Sequence, residues 1–366
     1  MRVNMQPWQA SASAVSDSSS FNKHRNENVE FFRCGLMFLI VLYHCFIRGI
    51  FLDSQGWWTI AFDVLWIWHV DAFVAISGWF GVKWSIKKFL HLFSMAFFYT
   101  ALSFVVGFFW RDEAFAVHHL AVEAGWFGGT YLMLMMVSPL LNLCLDGLCK
   151  LPKKEVFRYW GLFALSMFLT WAPFHLFTGV SGEGAGGFSI TMFVFVYVTV
   201  RIVRLLDLPL TRKHVLFCVA FFIVGVLLMG SFNCVVRLAQ DRAIGGQCFK
   251  AEYNAPYVWV MAVAMMVWFA KFAHVPKWLG RVCGFCGPSM FGIYLCHNAT
   301  RFGLSIYRMP ETWLSQHTSL HPSVIISLCA VGTFLLCLGV DLARRFLFVI
   351  VTKGCQRFKE AICGNC

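Results

Sequence analysis

The sequence predicts an all-α, polytopic transmembrane helix bundle of about ten spans with both termini cytoplasmic, and three observations carry that prediction. Of the 366 residues, 59% are hydrophobic and only 13% charged, with a mean hydropathy of +0.68; this excludes the soluble globular classes. The apolar residues gather into ten runs of about 18–27 residues, each long enough to cross a hydrocarbon core. The basic residues alternate between the connecting segments. With the N-terminus inside, 22 of the 30 Lys and Arg fall in inner segments, seven in outer ones, and Arg33 within the first span. The bias recurs at every inner segment, which is the topogenic pattern. The formal charge of +12 therefore reads as orientation towards the lipid bilayer, and no nucleic-acid partner is expected.

In order, residues 1–28 are polar and expected to be a disordered cytoplasmic segment, and no signal-peptide pattern precedes Glu30. The first span covers about 30–50. A short loop ends in Trp57 and Trp58, an interfacial pair, before the second span at about 58–82. Further spans follow at about 89–110, 126–148, 156–177, 188–206, 214–232, 254–272, 280–301 and 322–346, each within the length range for crossing with some tilt. The ninth is interrupted by Gly284, Gly287 and Pro288. The Gly-rich loop at 181–187 has no strand–helix context and is turn punctuation rather than a phosphate loop. Residues 29–350 form one transmembrane domain, and 351–366 a short basic cytoplasmic tail.

Ionisable groups inside apolar spans are costly and mark candidate sites. Arg33 and His44, eleven residues apart in the first span, fall close to three full turns apart and so share one helical stripe, about 16 Å apart along the axis. His44 lies in the outer half. Because the ninth span also runs outward, His297 reaches about the same level; His69 and Asp71 of the second span lie near the middle. Two histidines at one depth imply an outward-opening polar chamber with Arg33 below it. Arg201 and Arg204 share a face at the cytoplasmic rim, and Lys87 and Lys88 stand at the same level; each is a phosphate-gripping candidate or a topogenic anchor. Ser77 and Gly78 suit close helix packing better than nucleophilic chemistry. The 15 Cys show no regular framework. The pairs Cys283/Cys286 and Cys363/Cys366 lie too far apart in the chain for a zinc ribbon, so reduced thiols and no metal are expected. Cys234 and Cys248 share an outer loop, where a disulfide is a candidate.

These residues resemble a known family. Arg33-x10-His44 is similar to the hallmark of the membrane-bound acyltransferase-3 family, and Phe73-Val-Ala-Ile-Ser-Gly78 resembles its F-x-x-S-G signature. Further pieces resemble its surface-polysaccharide O-acetyltransferase branch: Trp126-Phe with Tyr131, Ser138-Pro-Leu-Leu-Asn142, Phe195-Val-Tyr-Val-Thr-Val-Arg201, Tyr253-Asn-Ala-Pro256 and Phe291-Gly-Ile-Tyr-Leu-Cys-His297. The likeness covers about 28–350 in order. It departs at Val198-Thr199, at Asp71, where an amide or apolar residue is usual, and at Asn298, where an acid is common.

The resemblance implies transfer of an acyl group, acetyl first, from cytoplasmic acetyl-CoA to a hydroxyl of a cell-envelope or lipid-linked glycan, in a bacterial inner (cytoplasmic) membrane. A sugar hydroxyl needs a base that works near neutral pH, which suits His44, either as general base or as transient acyl carrier. His297 and Asp71 are the expected second polar groups of the site. Arg33 is expected to hold a CoA phosphate or polarise the thioester carbonyl. Lys87, Lys88, Arg201 and Arg204 are the further CoA-binding candidates. A transporter of a small polar or acylated molecule is the competing class, since ten spans with midplane charges suit it too.

Overall fold

The computed structural model describes residues 26–50, 66–111, 125–173, 187–239, 252–298 and 302–363. The expectations for residues 1–25, the Trp57/Trp58 loop, the body of the Gly-rich loop and Cys248 lie outside the described residues. Among the described residues all regular structure is helical: α1 (Glu27–Arg48), α2 (His69–Phe80), α3 (Ile86–Arg111), α4 (Gly125–Leu148), α5 (Lys153–Pro173), α6 (Ile190–Leu205), α7 (Arg212–Ala239), α8 (Pro256–Lys271), α9 (Lys277–Cys286), a 3-10 turn (Gly287–Ser289), α10 (Met290–Asn298), α11 (Phe302–His317) and α12 (Pro322–Cys363).

Five of these helices are long and apolar enough to cross a membrane: α1, α3 over 86–105, α4, α7 over 212–236 and α12 over 322–352. Their outward faces carry large bare apolar side chains such as Phe97, Leu143, Phe217 and Phe346. A protein in water does not leave such continuous apolar surface uncovered, whereas a lipid-facing one does.

The interior is built round α1 and α2. Asn26 caps α1, its side chain accepting from the N–H groups of Asn28 and Val29, and Glu27 and Glu30 in the first turn complement the helix dipole. Helix α1 packs on α2, α9, α10 and α12, while α2 packs on α6 and α8. Ten of the twelve residues of α2 are buried, which puts it at the centre and explains why its run is apolar on every side rather than striped. Gly78 permits the closest approach: a β-carbon there would lie 2.7 Å from the Tyr197 carbonyl oxygen of α6.

Polar ties fix the two ends of the bundle. At one end, Asn28 Nδ2 donates to the Ala273 carbonyl (2.8 Å) and its Oδ1 accepts from Val275 N–H (3.0 Å). At the same end, Asn142 Nδ2 donates to Val82 O (2.9 Å) and Tyr197 Oη donates to Asn142 Oδ1 (2.7 Å). At the opposite end, Trp126 meets Phe188 and Tyr253 at ring-centroid distances of 4.6 and 5.6 Å, drawing together the starts of α4, α6 and α8. Between the ends, Asp341 Oδ1 of α12 accepts from Tyr99 Oη (2.7 Å) and Arg344 Nε (2.8 Å), and both members of the ion pair are buried.

The structure goes beyond the expected spans in two places. The residues between the last two expected spans form α11. Its mixed polarity is too rich in charge for a span, yet its apolar positions recur with helical period. The last span does not stop near 346, and the tail is not separate: α12 continues to Cys363 because its Lys, Arg, Glu and Gln residues are good helix formers. The interruption expected in the ninth run takes the form of a 3-10 turn, Gly287–Ser289, between α9 and α10, Pro288 having no N–H for the ladder.

Asp341→Ala removes the only acid that pairs with Arg344 among the described residues and leaves a guanidinium stranded in the interior. It is expected to destabilise the protein by about 3–5 kcal/mol, read as a large fall in apparent melting temperature in detergent.

Candidate active site

His44 on α1 and His297 on α10 meet: His44 Nδ1 and His297 Nε2 are 2.9 Å apart. The second contact of His297 fixes the direction of that bond. Its Nδ1 lies 2.6 Å from the Ile293 carbonyl, an acceptor only, so Nδ1 carries the proton. In the neutral ring Nε2 then holds a lone pair and accepts from His44 Nδ1–H. His44 Nε2 is left with its own lone pair and no hydrogen-bond partner among the described residues, the state a general base requires. The ring of Tyr294 stands edge-on to His297 at 6.0 Å.

One turn beyond His44, Arg48 Nη1 donates to Asn298 Oδ1 (2.7 Å), and Asn298 Nδ2 donates to Tyr294 Oη (3.1 Å). Gly125, at the start of α4, has φ +65° and presses on this pair: a β-carbon would lie 2.3 Å from Asn298 Nδ2 and 2.7 Å from Tyr294 Oη. Only glycine fits both the dihedral and the space. Arg308 Nε of α11 donates to the Arg48 carbonyl (2.6 Å), and Glu311 Oε2 accepts from Ile50 N–H (3.0 Å).

The other two candidates of the second span sit apart from this pair. His69 is buried and its Nδ1 faces the Trp66 carbonyl, while its ring lies 5.3 Å from that of Tyr43. Asp71 is buried, and its Oδ2 has no hydrogen-bond partner among the described residues. His44 contacts His297 and His69 a backbone carbonyl, so of the two roles open to Asp71, orienting a histidine or binding a hydroxyl, these contacts leave the second to its free Oδ2.

At the end where α1 begins, a cleft of about 510 Å³ is lined by Arg33, Ser77, Lys83, Lys87, Lys88 and Tyr131, among others. Arg33 is held from below by Glu30, 2.9 Å away. At the deep end Ser77 Oγ and Tyr131 Oη are hydrogen-bonded at 3.0 Å, so Ser77 has a polar partner as well as the packing role expected of it. The structure thus gathers Arg33, Lys87 and Lys88 in one cleft. Arg201 does not line it but backs the wall, its guanidinium beside Gly81. Arg204 stacks over Trp79, 5.2 Å from the ring centroid, and is not among the residues that line this cleft.

Aromatic rings stand between the cleft and the histidine pair. Tyr131 stacks on Phe127 (5.9 Å) and meets Phe291 (6.1 Å), and Phe127 meets Tyr294 (5.1 Å). Sequence reasoning gave Arg48 no part in the site, and Tyr131 and Tyr294 entered it only within the family-like segments. For Arg48 a signal existed, since it lies four residues after His44 and so on the same helical face. No group of three His, Cys, Asp or Glu among the described residues is placed to hold a metal, and Cys283 and Cys286 are free thiols.

Comparison with known protein families matches residues 26–342 to the model of the acyltransferase-3 "Acyltransferase domain". No curated protein and no solved structure matches the chain.

Glu311, on a helix outside the spans, gives a pH dependence. Burial pushes its carboxyl up to about 7 from 4.5, against the opposing pull of Ile50 N–H and Arg308. The folded state therefore holds this proton more tightly than the unfolded chain, so stability is greatest at low pH and falls as pH rises through about 7. Glu311→Gln is expected to flatten that fall between about pH 4.5 and 7 and to raise the melting temperature at pH 8 by about 2–4 °C; thermal scans across pH check it.

Proposed function

Since this chain belongs to the membrane-bound acyltransferase-3 family, we propose that it moves an acetyl group from cytoplasmic acetyl-CoA to a hydroxyl of a cell-envelope or exopolysaccharide sugar. It does so as a ten-span protein of a bacterial inner membrane, with both termini in the cytoplasm. The observation that carries this reading is the 2.9 Å contact between His44 and His297, because it leaves a lone pair on His44 Nε2 inside an otherwise apolar bundle. Support also comes from the opposite end of α1, where Arg33, Lys83, Lys87 and Lys88 converge on one cleft. Acyl-CoA carries several phosphate charges, and clustered cations are what hold them.

In this reading His44 Nε2 takes the proton of the acceptor hydroxyl as its oxygen attacks the acyl carbonyl carbon. The new C–O ester bond forms, the C–S bond breaks, and the proton passes to the departing thiolate, which leaves as the free thiol of CoA. His297, bonded to the other nitrogen of the ring, spreads the positive charge that His44 acquires and keeps its face fixed. Arg33 steadies the donor, either at a phosphate or at the thioester carbonyl. Ser77 and Tyr131 are the hydroxyl groups at the deep end of the donor cleft. Asp71 has a free buried oxygen and serves as a hydroxyl-binding group at the midplane.

Purified protein in proteoliposomes, given labelled acetyl-CoA on one side and a glycan on the other, is expected to yield labelled glycan; an exporter moves label without forming a covalent product. His44→Ala is expected to lose about 10²–10⁴-fold in rate while keeping its melting temperature, and full activity in that variant overturns the assignment. The double variant Lys87→Ala/Lys88→Ala is expected to raise KM for acetyl-CoA about tenfold or more, with the difference shrinking at high salt.

A further inference from the structure

Among the described residues, two arginines stand beside the histidine pair. In the ten-span orientation only seven of the 30 Lys and Arg lie on the outer side, and two of them, Arg48 and Arg308, converge here. Arg308 Nε is bonded to the carbonyl of Arg48 itself, so both guanidinium groups gather at the end of α1. Neither has a carboxylate within 4.0 Å among the described residues. Glu311 is close by, but its Oε2 is held by Ile50 N–H rather than by either arginine. Arg48 uses one of its five N–H donors on Asn298; that bond fixes the guanidinium one turn from His44 and leaves donors over.

Beside this cation stand aromatic rings. Gly125 presses on Asn298, and the next residue, Trp126, packs edge-to-face with Phe188 at 4.6 Å. Phe188 is 52% exposed although it lies at the start of α6 among packed aromatics. Rings of this kind present a face that suits the C–H side of a pyranose, as their amphipathic shape suits sites with one dry and one wet side.

We propose, resting on the acyl-transfer reading above, that this cluster of arginines and rings is the acceptor subsite and that the acceptor glycan carries an anionic group. Arg48 and Arg308 hold the oxyanion, and Trp126 with Phe188 supports the sugar ring. That arrangement presents a neighbouring hydroxyl to His44 Nε2. The shared chemistry is an oxyanion near the sugar, supplied either by the carboxylate of a hexuronic acid or by the diphosphate of a lipid-linked precursor.

The test uses the full chain in proteoliposomes with labelled acetyl-CoA and three acceptors: a neutral disaccharide, a hexuronate-containing disaccharide, and the neutral disaccharide on a polyprenyl diphosphate. One anionic acceptor is expected to exceed the neutral one at least tenfold in kcat/KM, and Arg308→Gln is expected to abolish that preference through KM. Which anionic acceptor wins names the source of the charge. Equal use of the neutral disaccharide overturns the proposal and leaves acyl transfer standing. A preference that survives in Arg308→Gln also overturns it, as arginines that merely grip lipid headgroups would give. Binding of the same acceptors, measured separately by calorimetry in nanodiscs, keeps the two readings apart. A hexuronate or diphosphate acceptor that binds tenfold more weakly to Arg308→Gln, yet is never acetylated by the unaltered chain, supports the subsite and sinks the acyl-transfer reading. Equal binding to both proteins overturns the subsite.

Discussion

A hydrogen bond between two imidazoles, His44 of α1 and His297 of α10, ties the first described helix to the last third of the chain. Inside a bilayer a polar side chain has no water to fall back on, so each must find a partner from another element or from the backbone. His297 does both, meeting His44 on one side and the Ile293 carbonyl on the other. The neighbouring groups follow the same rule: Arg48 meets Asn298, Asn298 meets Tyr294, and Gly125 gives up its side chain so that α4 can close over them. The packing of α10 against α1 and α4 is the geometric condition for this chain of contacts.

The same helix works at both of its ends. Arg33, near the start of α1, belongs to a cationic cleft, and His44, eleven residues on, belongs to the imidazole pair. The aromatic layer of Phe127, Tyr131, Phe291 and Tyr294 separates the two. A reaction that joins a charged donor on one side to an alcohol on the other needs such a division, since a continuous wet passage would leak ions and hydrolyse the thioester. The rings supply a boundary that is apolar without being empty.

Much of this was legible in the residues. Hydropathy marked the apolar runs, and most helices among the described residues overlie them, although α7 and α12 run well past the expected ends and α11 lies outside any run. The stripe shared by Arg33 and His44, and the matching depth of His297, pointed to one polar region. What the sequence did not carry was partner choice. Asp71 was open to two roles, orienting a histidine or binding a hydroxyl, and the residues alone did not choose; two residues from His69, it lies on a different face of the helix. Arg204 looked like a twin of Arg201, but it stacks on Trp79. Helix α11 was hidden because its apolar stripe is too narrow and too interrupted by charge for a hydropathy window, and only tertiary contact with α12 shows what it covers.

The acceptor for the inner proton of His297 is no side chain but the carbonyl of Ile293, one turn back in α10, which the backbone ladder of the same short helix also claims. The wiring of the two rings is thereby welded to the last turn of a nine-residue helix. Were that turn to unwind, the carbonyl would swing off and the ring could carry its hydrogen on the opposite nitrogen. The donor–acceptor order along the pair would then reverse, and the electron pair at the far end of His44 would be capped. The on and off states of the base would differ by one helical turn, with no change in which residues are present.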